Sequence, residues 1–171
     1  MCIRDSYGPD KPFPGGPAAL QRLDRDVLAL SGIAGLIWLE GINDFSKNGN
    51  ASLETVQTTL KDAVAAIRAR RPEMRIIGAT VVTALGSSSP AHGFPEQDGK
   101  RKALNNFIRS GGLFDGVIDF DKVTVDPQTG SLKPEFVPDS TTGGPGDKLH
   151  PNRAGYLAMG MAIDLDLFKP K

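Results

Sequence analysis

Ile33-Ala34-Gly35-Leu36-Ile37-Trp38-Leu39 is a continuous apolar run, and it ends directly in Glu40-Gly41-Ile42-Asn43-Asp44. The run is short and shows no alternation with polar residues, as expected of a strand buried on both faces. Polar chemistry begins where this strand stops. Ligands in open α/β sheets bind outside the carboxyl ends of the strands, so residues 40–44 are a candidate site.

Working outward from that strand, helical and strand periodicities alternate. Residues 7–17 are rich in proline and glycine and read as a loop. Residues 18–30 carry Leu20, Leu23, Val27 and Leu30 on one helical stripe, closed by Ser31-Gly32. Downstream, Ser52 is suited to cap a helix over 53–70, with Leu53, Val56, Leu60, Val64 and Ile67 inward. Arg68, Arg70 and Arg71 gather at its C-terminal end and Pro72 stops it. Residues 75–82 predict a second buried strand. Residues 83–97 form a long loop, enough to build part of a cleft wall. A helix capped by Asp98 is predicted over 98–109, with Leu104, Phe107 and Ile108 inward, and Gly111-Gly112 ends it. A third strand is expected over 116–120, a loop over 121–146, and a closing helix over 151–167. Ala154, Leu157, Met161 and Leu165 are expected to face the sheet. Such alternation predicts an α/β fold, a parallel sheet with helices on both faces.

A chain of 171 residues suits one domain. Its 20 basic and 20 acidic residues are interspersed, and nothing resembles the basic footprint of a nucleic-acid binder. The longest apolar run is too short to cross a bilayer. A single cysteine, Cys2, excludes an internal disulfide and a cysteine-rich zinc site. Met1-Cys2-Ile3-Arg4-Asp5-Ser6 lacks the apolar segment of a signal peptide and resembles a translated sequencing adapter. Residues 1–6 are therefore read as a non-native stub and 7–171 as one domain.

The second stretch with chemical content is Gly146-Asp147-Lys148-Leu149-His150-Pro151-Asn152. It sets an acid and an imidazole three residues apart, with Pro151 suited to the first position of the following helix. A histidine whose one ring nitrogen is occupied keeps the other free to take a proton. Blander readings exist for each residue. Asp147 and His150 could be a capping pair, and Asn43-Asp44 a turn, with Asp44 structural. His92 reads as an exposed loop residue, Trp38 as core and Arg153 as solvated. Asp115, Asp119, Asp121 and Asp126 lack the spacing of a calcium loop. No metal site is expected.

Together, Gly41-Ile42-Asn43-Asp44 after a strand and Asp147-Lys148-Leu149-His150-Pro151-Asn152 before the last helix resemble the conserved blocks of the SGNH hydrolases, or GDSL esterases and lipases. The wording Leu39-Glu40-Gly41-Ile42-Asn43-Asp44 and His150-Pro151-Asn152 is similar to GDSL-like acylhydrolases, and the resemblance runs from about residue 15 onward. It implies a flavodoxin-like α/β/α fold and a serine triad. His150 would be the base, Asp147 its orienting acid and Asn43 an oxyanion donor, with Gly41 and Asp44 supporting the motif. It implies no metal or organic cofactor, a small-molecule ester as substrate and a secreted or periplasmic bacterial enzyme.

The sequence departs from the family in its first two blocks. Ser6 follows an aspartate, but Arg4 replaces the family's glycine and no strand precedes it. The serine and two N-terminal strands are therefore expected upstream of a truncated chain, leaving the strand over 33–39 as an aggregation-prone sheet edge. The expected function is ester hydrolysis. The alternatives are an acyltransferase of the same fold and a non-catalytic α/β domain that binds a small ligand or a partner.

Overall fold

The structure, a computed structural model, describes residues 17–169; residues 1–6, Ser6 among them, and the loop expected over 7–16 lie outside the described residues. Three strands, β1 (Gly35–Trp38), β2 (Arg75–Ala79) and β3 (Gly116–Ile118), form a parallel sheet in the order β1-β2-β3. Gly35 pairs with Arg75 and Trp38 with Gly78, while Ile77 pairs with Gly116. The helices are α1 (Ala19–Leu23), running on as a π-helical turn over Asp24–Leu28, α2 (Leu53–Arg70), α3 (Pro95–Ser110), α4 (Phe120–Thr124) and α5 (Arg153–Met161).

The strands separate two cores. On one face Trp38, Ile76 and Val81 pack with Val56, Leu60, Val64 and Ile67 of α2 and Leu104 and Ile108 of α3. On the other, Ile77, Ala79 and Ile118 pack with Phe120 and Met159, joined by Leu167 and Phe168. Adjacent residues Ile76 and Ile77 thus serve opposite faces, as strand pleating requires. The result is the expected α/β architecture with helices on both sides of a parallel sheet. No helix among the described residues is long and apolar enough to cross a membrane.

Helix α2 matches its expected limits, and Ser52 caps it by accepting the Thr55 N–H at 3.1 Å. Other elements differ. Each strand is shorter than its expected range, and Gly35, Leu36 and Ile37 are only half-buried. β2 stops at Ala79 because the Asn105 side chain takes over the role of a strand: its Oδ1 accepts the Val81 N–H at 2.7 Å and its Nδ2 donates to the Val81 carbonyl at 2.9 Å. Helix α3 starts at Pro95, so Asp98 is no cap. It is a buried residue of the first turns, paired with Arg101 and Lys102. Phe120, expected to end β3, begins α4 because Asp119 caps that helix through the Lys122 N–H.

The closing helix is the largest correction. It runs from Arg153 to Met161, followed by a 3-10 turn at Leu165–Phe168. The expected inward stripe is exposed: Leu157, Met161 and Leu165 are 63%, 79% and 76% accessible. Gly155 and Met159 face inward instead. A β-carbon on Gly155 would stand 2.7 Å from Pro151 and 3.1 Å from the Phe136 side chain. Helix α5 approaches that close only on its glycine face, which turns the leucine face outward.

Candidate functional site

Asp147 and His150 lie on the loop before α5, and their geometry follows from local hydrogen bonding. Asp147 Oδ1 accepts the N–H groups of Leu149 and His150, both at 2.9 Å, which closes a tight turn. Its Oδ2 is thereby aimed at the imidazole and meets Nδ1 of His150 at 2.7 Å. Lys148, with φ of 56°, absorbs the left-handed conformation that the turn demands. Burial pushes the Asp147 carboxyl up, but the backbone N–H and ring of His150 and the N–H of Leu149 outweigh it and hold it below the ordinary value. An ionised Asp147 fixes the proton of neutral His150 on Nδ1 and leaves Nε2 as the basic atom. No hydrogen bond from the described residues occupies Nε2. The His150 side chain keeps 36% of its exposure, against 15% for Asp147.

The helix after this loop is anchored by Asn152, not by Pro151. Asn152 Oδ1 accepts the Gly155 N–H at 3.1 Å and caps α5. Its Nδ2 donates to the carbonyls of Glu135 and Pro138, each at 2.9 Å. One side chain therefore ties the mouth of α5 to the segment of Glu135 and Pro138.

The second arm follows β1. Gly41 has φ of 130°, and a β-carbon there would press to 2.8 Å from Leu104 of α3, so the chain leaves β1 by a route only glycine takes easily. Asn43 is half-buried. Its carbonyl receives the Ser46 hydroxyl at 2.6 Å, while its side-chain amide carries no hydrogen bond among the described residues. Asp44 is 1% exposed, and its carbonyl accepts the Ala51 N–H at 2.9 Å, in keeping with a structural part.

The loop between β2 and α3 touches both arms. The Ser87 hydroxyl and the Ser88 N–H donate to the Asp147 carbonyl at 2.8 and 3.1 Å. The Lys47 N–H donates to the Ala91 carbonyl at 3.0 Å, and the Lys47 ammonium sits 3.9 Å from the Phe94 ring centre. Gln97 reaches the Ile42 carbonyl at 3.1 Å. His92, expected to be an exposed loop residue, is 7% exposed and within 2.7 Å of Gln97. Burial lowers its proton affinity, and the nearby His150 lowers it further against the opposing pull of Asp147. Ser87, Ser88 and Gln97 were not marked by any sequence motif; only the length of the loop hinted at them.

The four loop aspartates are engaged elsewhere. Asp115 binds the Ile76 N–H and Arg68, Asp119 and Asp121 bind Arg109, Asp121 also binds Arg101, and Asp126 closes its own turn onto Gln128. Trp38 is core, as expected, and Arg153 is exposed. No cluster of three metal-type ligands occurs among the described residues.

Comparison with known proteins adds independent observations. The sequence model of the GDSL-like lipase/acylhydrolase family matches residues 8–158. No curated protein sequence matches the chain. Among solved structures, a GDSL-like lipase from Bacteroides thetaiotaomicron superposes with a TM-score of 0.69 at 19% identity, covering 89% of this chain and 73% of that one. A lipase/acylhydrolase from Enterococcus faecalis gives 0.64 at 24% identity, covering 89% and 71%. A carbohydrate acetylesterase from Sinorhizobium meliloti gives 0.61 at 12% identity, covering 93% and 71%. At such identities the likeness is one of fold.

Proposed function

The chain belongs to the GDSL-like lipase/acylhydrolase family, and from that premise we propose a serine ester hydrolase whose base is His150, oriented by Asp147, with Asn43 as an oxyanion donor. Ester hydrolysis in general is the family's chemistry. The observation that carries the finer assignment is the 2.7 Å bond from His150 Nδ1 to Asp147, which leaves Nε2 open and basic.

In this reading a serine N-terminal to the described residues presents its hydroxyl to Nε2. His150 takes the proton as the serine oxygen bonds to the ester carbonyl carbon, and Asp147 stabilises the imidazolium. The carbonyl oxygen gains charge and is met by an N–H of the Asn43 side-chain amide, which carries no hydrogen bond among the described residues. Collapse expels the alcohol, which receives the proton from His150 and leaves an acyl-enzyme. Water, deprotonated by the same Nε2, then releases the acid. Acyl or acetyl esters of carbohydrates or small lipids are the substrates we favour, supported by the acetylesterase and lipase neighbours.

The test is the native gene product on p-nitrophenyl acetate and acetylated sugars, beside a His150→Ala variant, with a fluorophosphonate probe to label the nucleophile. Hydrolysis that His150→Ala abolishes, and a labelled serine before residue 17, are the expected results. Activity indifferent to His150→Ala would overturn the assignment.

A further inference from the structure

Gln97 stands in the first turns of α3 with its side-chain amide nearly saturated. Its Oε1 accepts the Gly93 N–H at 2.9 Å, and its Nε2 donates to the Ile42 carbonyl at 3.1 Å while lying 2.7 Å from Nδ1 of His92. Chemistry fixes the orientation. A carbonyl only accepts, so the amide nitrogen faces Ile42; an N–H only donates, so the amide oxygen faces Gly93. The remaining Nε2 proton points at His92, whose Nδ1 must then be an acceptor. His92 is consequently a neutral imidazole protonated at its own Nε2.

Both partners are shielded, with 4% exposure for Gln97 and 7% for His92, so water does not replace a lost bond at no cost. The network also continues toward the acid–base arm. The Gly86 N–H donates to the Gly93 carbonyl at 3.2 Å, and the adjacent Ser87 and Ser88 hold the Asp147 carbonyl. Hydrogen bonds thus link Ile42 to Gln97, Gln97 to Gly93 and Gly93 to Gly86, and the backbone from Gly86 to Ser87 carries the connection on to the Asp147 carbonyl.

We propose that His92 and Gln97 form a positioning unit for the oxyanion arm: neutral His92 orients the Gln97 amide, and Gln97 holds the backbone at Ile42 immediately before Asn43. The inference rests on the assignment of Asn43 as oxyanion donor and adds two residues that touch neither substrate nor nucleophile. Burial, which disfavours protonation of His92, keeps the acceptor form in place. Asparagine is the informative replacement at position 92, because its Oδ1 stands close to where the imidazole Nδ1 stood and also accepts.

The experiment compares His92→Ala and His92→Asn in the native gene product, by ester kinetics and by 15N NMR. In His92→Ala, kcat falls roughly ten- to a hundredfold with KM nearly unchanged, as a displaced oxyanion donor demands. The Asn43 side-chain amide resonances move with it, and His92→Asn restores both. A folded His92→Ala with unchanged kcat and unmoved Asn43 resonances overturns the proposal. So does an Nδ1-protonated His92 in the wild type, which is readable even if His92→Ala does not fold. Should the wild-type protein hydrolyse no ester, the hydrolase reading fails, while the His92 tautomer and the Asn43 resonances still judge the positioning unit.

Discussion

Asp147 holds His150 at two points, with Oδ2 on the ring Nδ1 at 2.7 Å and Oδ1 on the backbone N–H at 2.9 Å. The backbone contact sets the turn, and the ring contact sets the tautomer. Asp147→Asn separates these duties, because the amide has a single acceptor oxygen: with that oxygen kept on the turn, its NH2 donor faces the ring. Presented with a donor, His150 moves its proton to Nε2 and ceases to be a base there. Ester kcat is expected to fall about 10⁴-fold, while the thermal midpoint shifts little. Steady-state kinetics beside calorimetry checks this, and a drop in kcat of less than tenfold sinks the assigned role.

Asn43→Ala removes a donor that the described residues leave unoccupied, so little folding energy goes with it. The loss should appear in kcat, by about 10²–10³-fold, and hardly in KM, since the bond matters when charge reaches the carbonyl oxygen. A raised KM with kcat unchanged would instead mean that Asn43 binds the ground state as tightly as the transition state.

The parts legible in sequence were those set by local chemistry. A continuous apolar run marked β1 and short, largely apolar stretches marked β2 and β3, Ser52 marked the start of α2, and the D-x-x-H spacing marked Asp147 and His150 as a candidate pair. The parts that were not legible depend on contacts between distant segments. Asn105, a polar residue on an amphipathic helix, ends β2 by bonding Val81 on both sides. The inward face of α5 is chosen by Gly155 against Phe136, which periodicity of leucines cannot reveal. His92 looked like a loop residue because its neighbours are proline, alanine and glycine. It is buried because Gln97 on the next helix reaches back for it.

Acid should destabilise the fold in two stages. His92 has a lowered proton affinity when folded, so the unfolded chain binds the extra proton first, and stability declines as pH falls below about 6.5. The second stage belongs to carboxylates. Burial raises Asp98 and Asp119, yet Lys102 and Arg101 on the former and Arg109 and Thr80 on the latter leave both below the ordinary value. Asp147 behaves likewise. Groups depressed in the folded state contribute stability above their unfolded value and lose it as pH drops below about 4. Urea midpoints measured from pH 8 to 3 should show both declines, and His92→Asn should erase only the first. A flat profile down to pH 4 in the wild type would exclude the His92 part.

Arg101 is the largest completely buried side chain among the described residues, at 1% exposure, and it lies about one turn beyond Gln97 on α3. Its Nε meets Asp98 at 2.8 Å, and its Nη1 donates to the Val81 carbonyl at 3.0 Å and to Asp121 at 2.5 Å. Deleting one member of a buried charge network costs about 3–5 kcal/mol, chiefly because the remaining charges lose compensation. Here Asp98 keeps Lys102 and Asp121 keeps Arg109, which places Arg101→Met toward the lower end. Adding Asp98→Asn to Arg101→Met should return part of that loss by removing one of the stranded charges. A double-mutant cycle from urea unfolding measures the coupling directly. If the two substitutions prove additive, the stability of this corner comes from packing around the Arg101 alkyl chain and not from its charge.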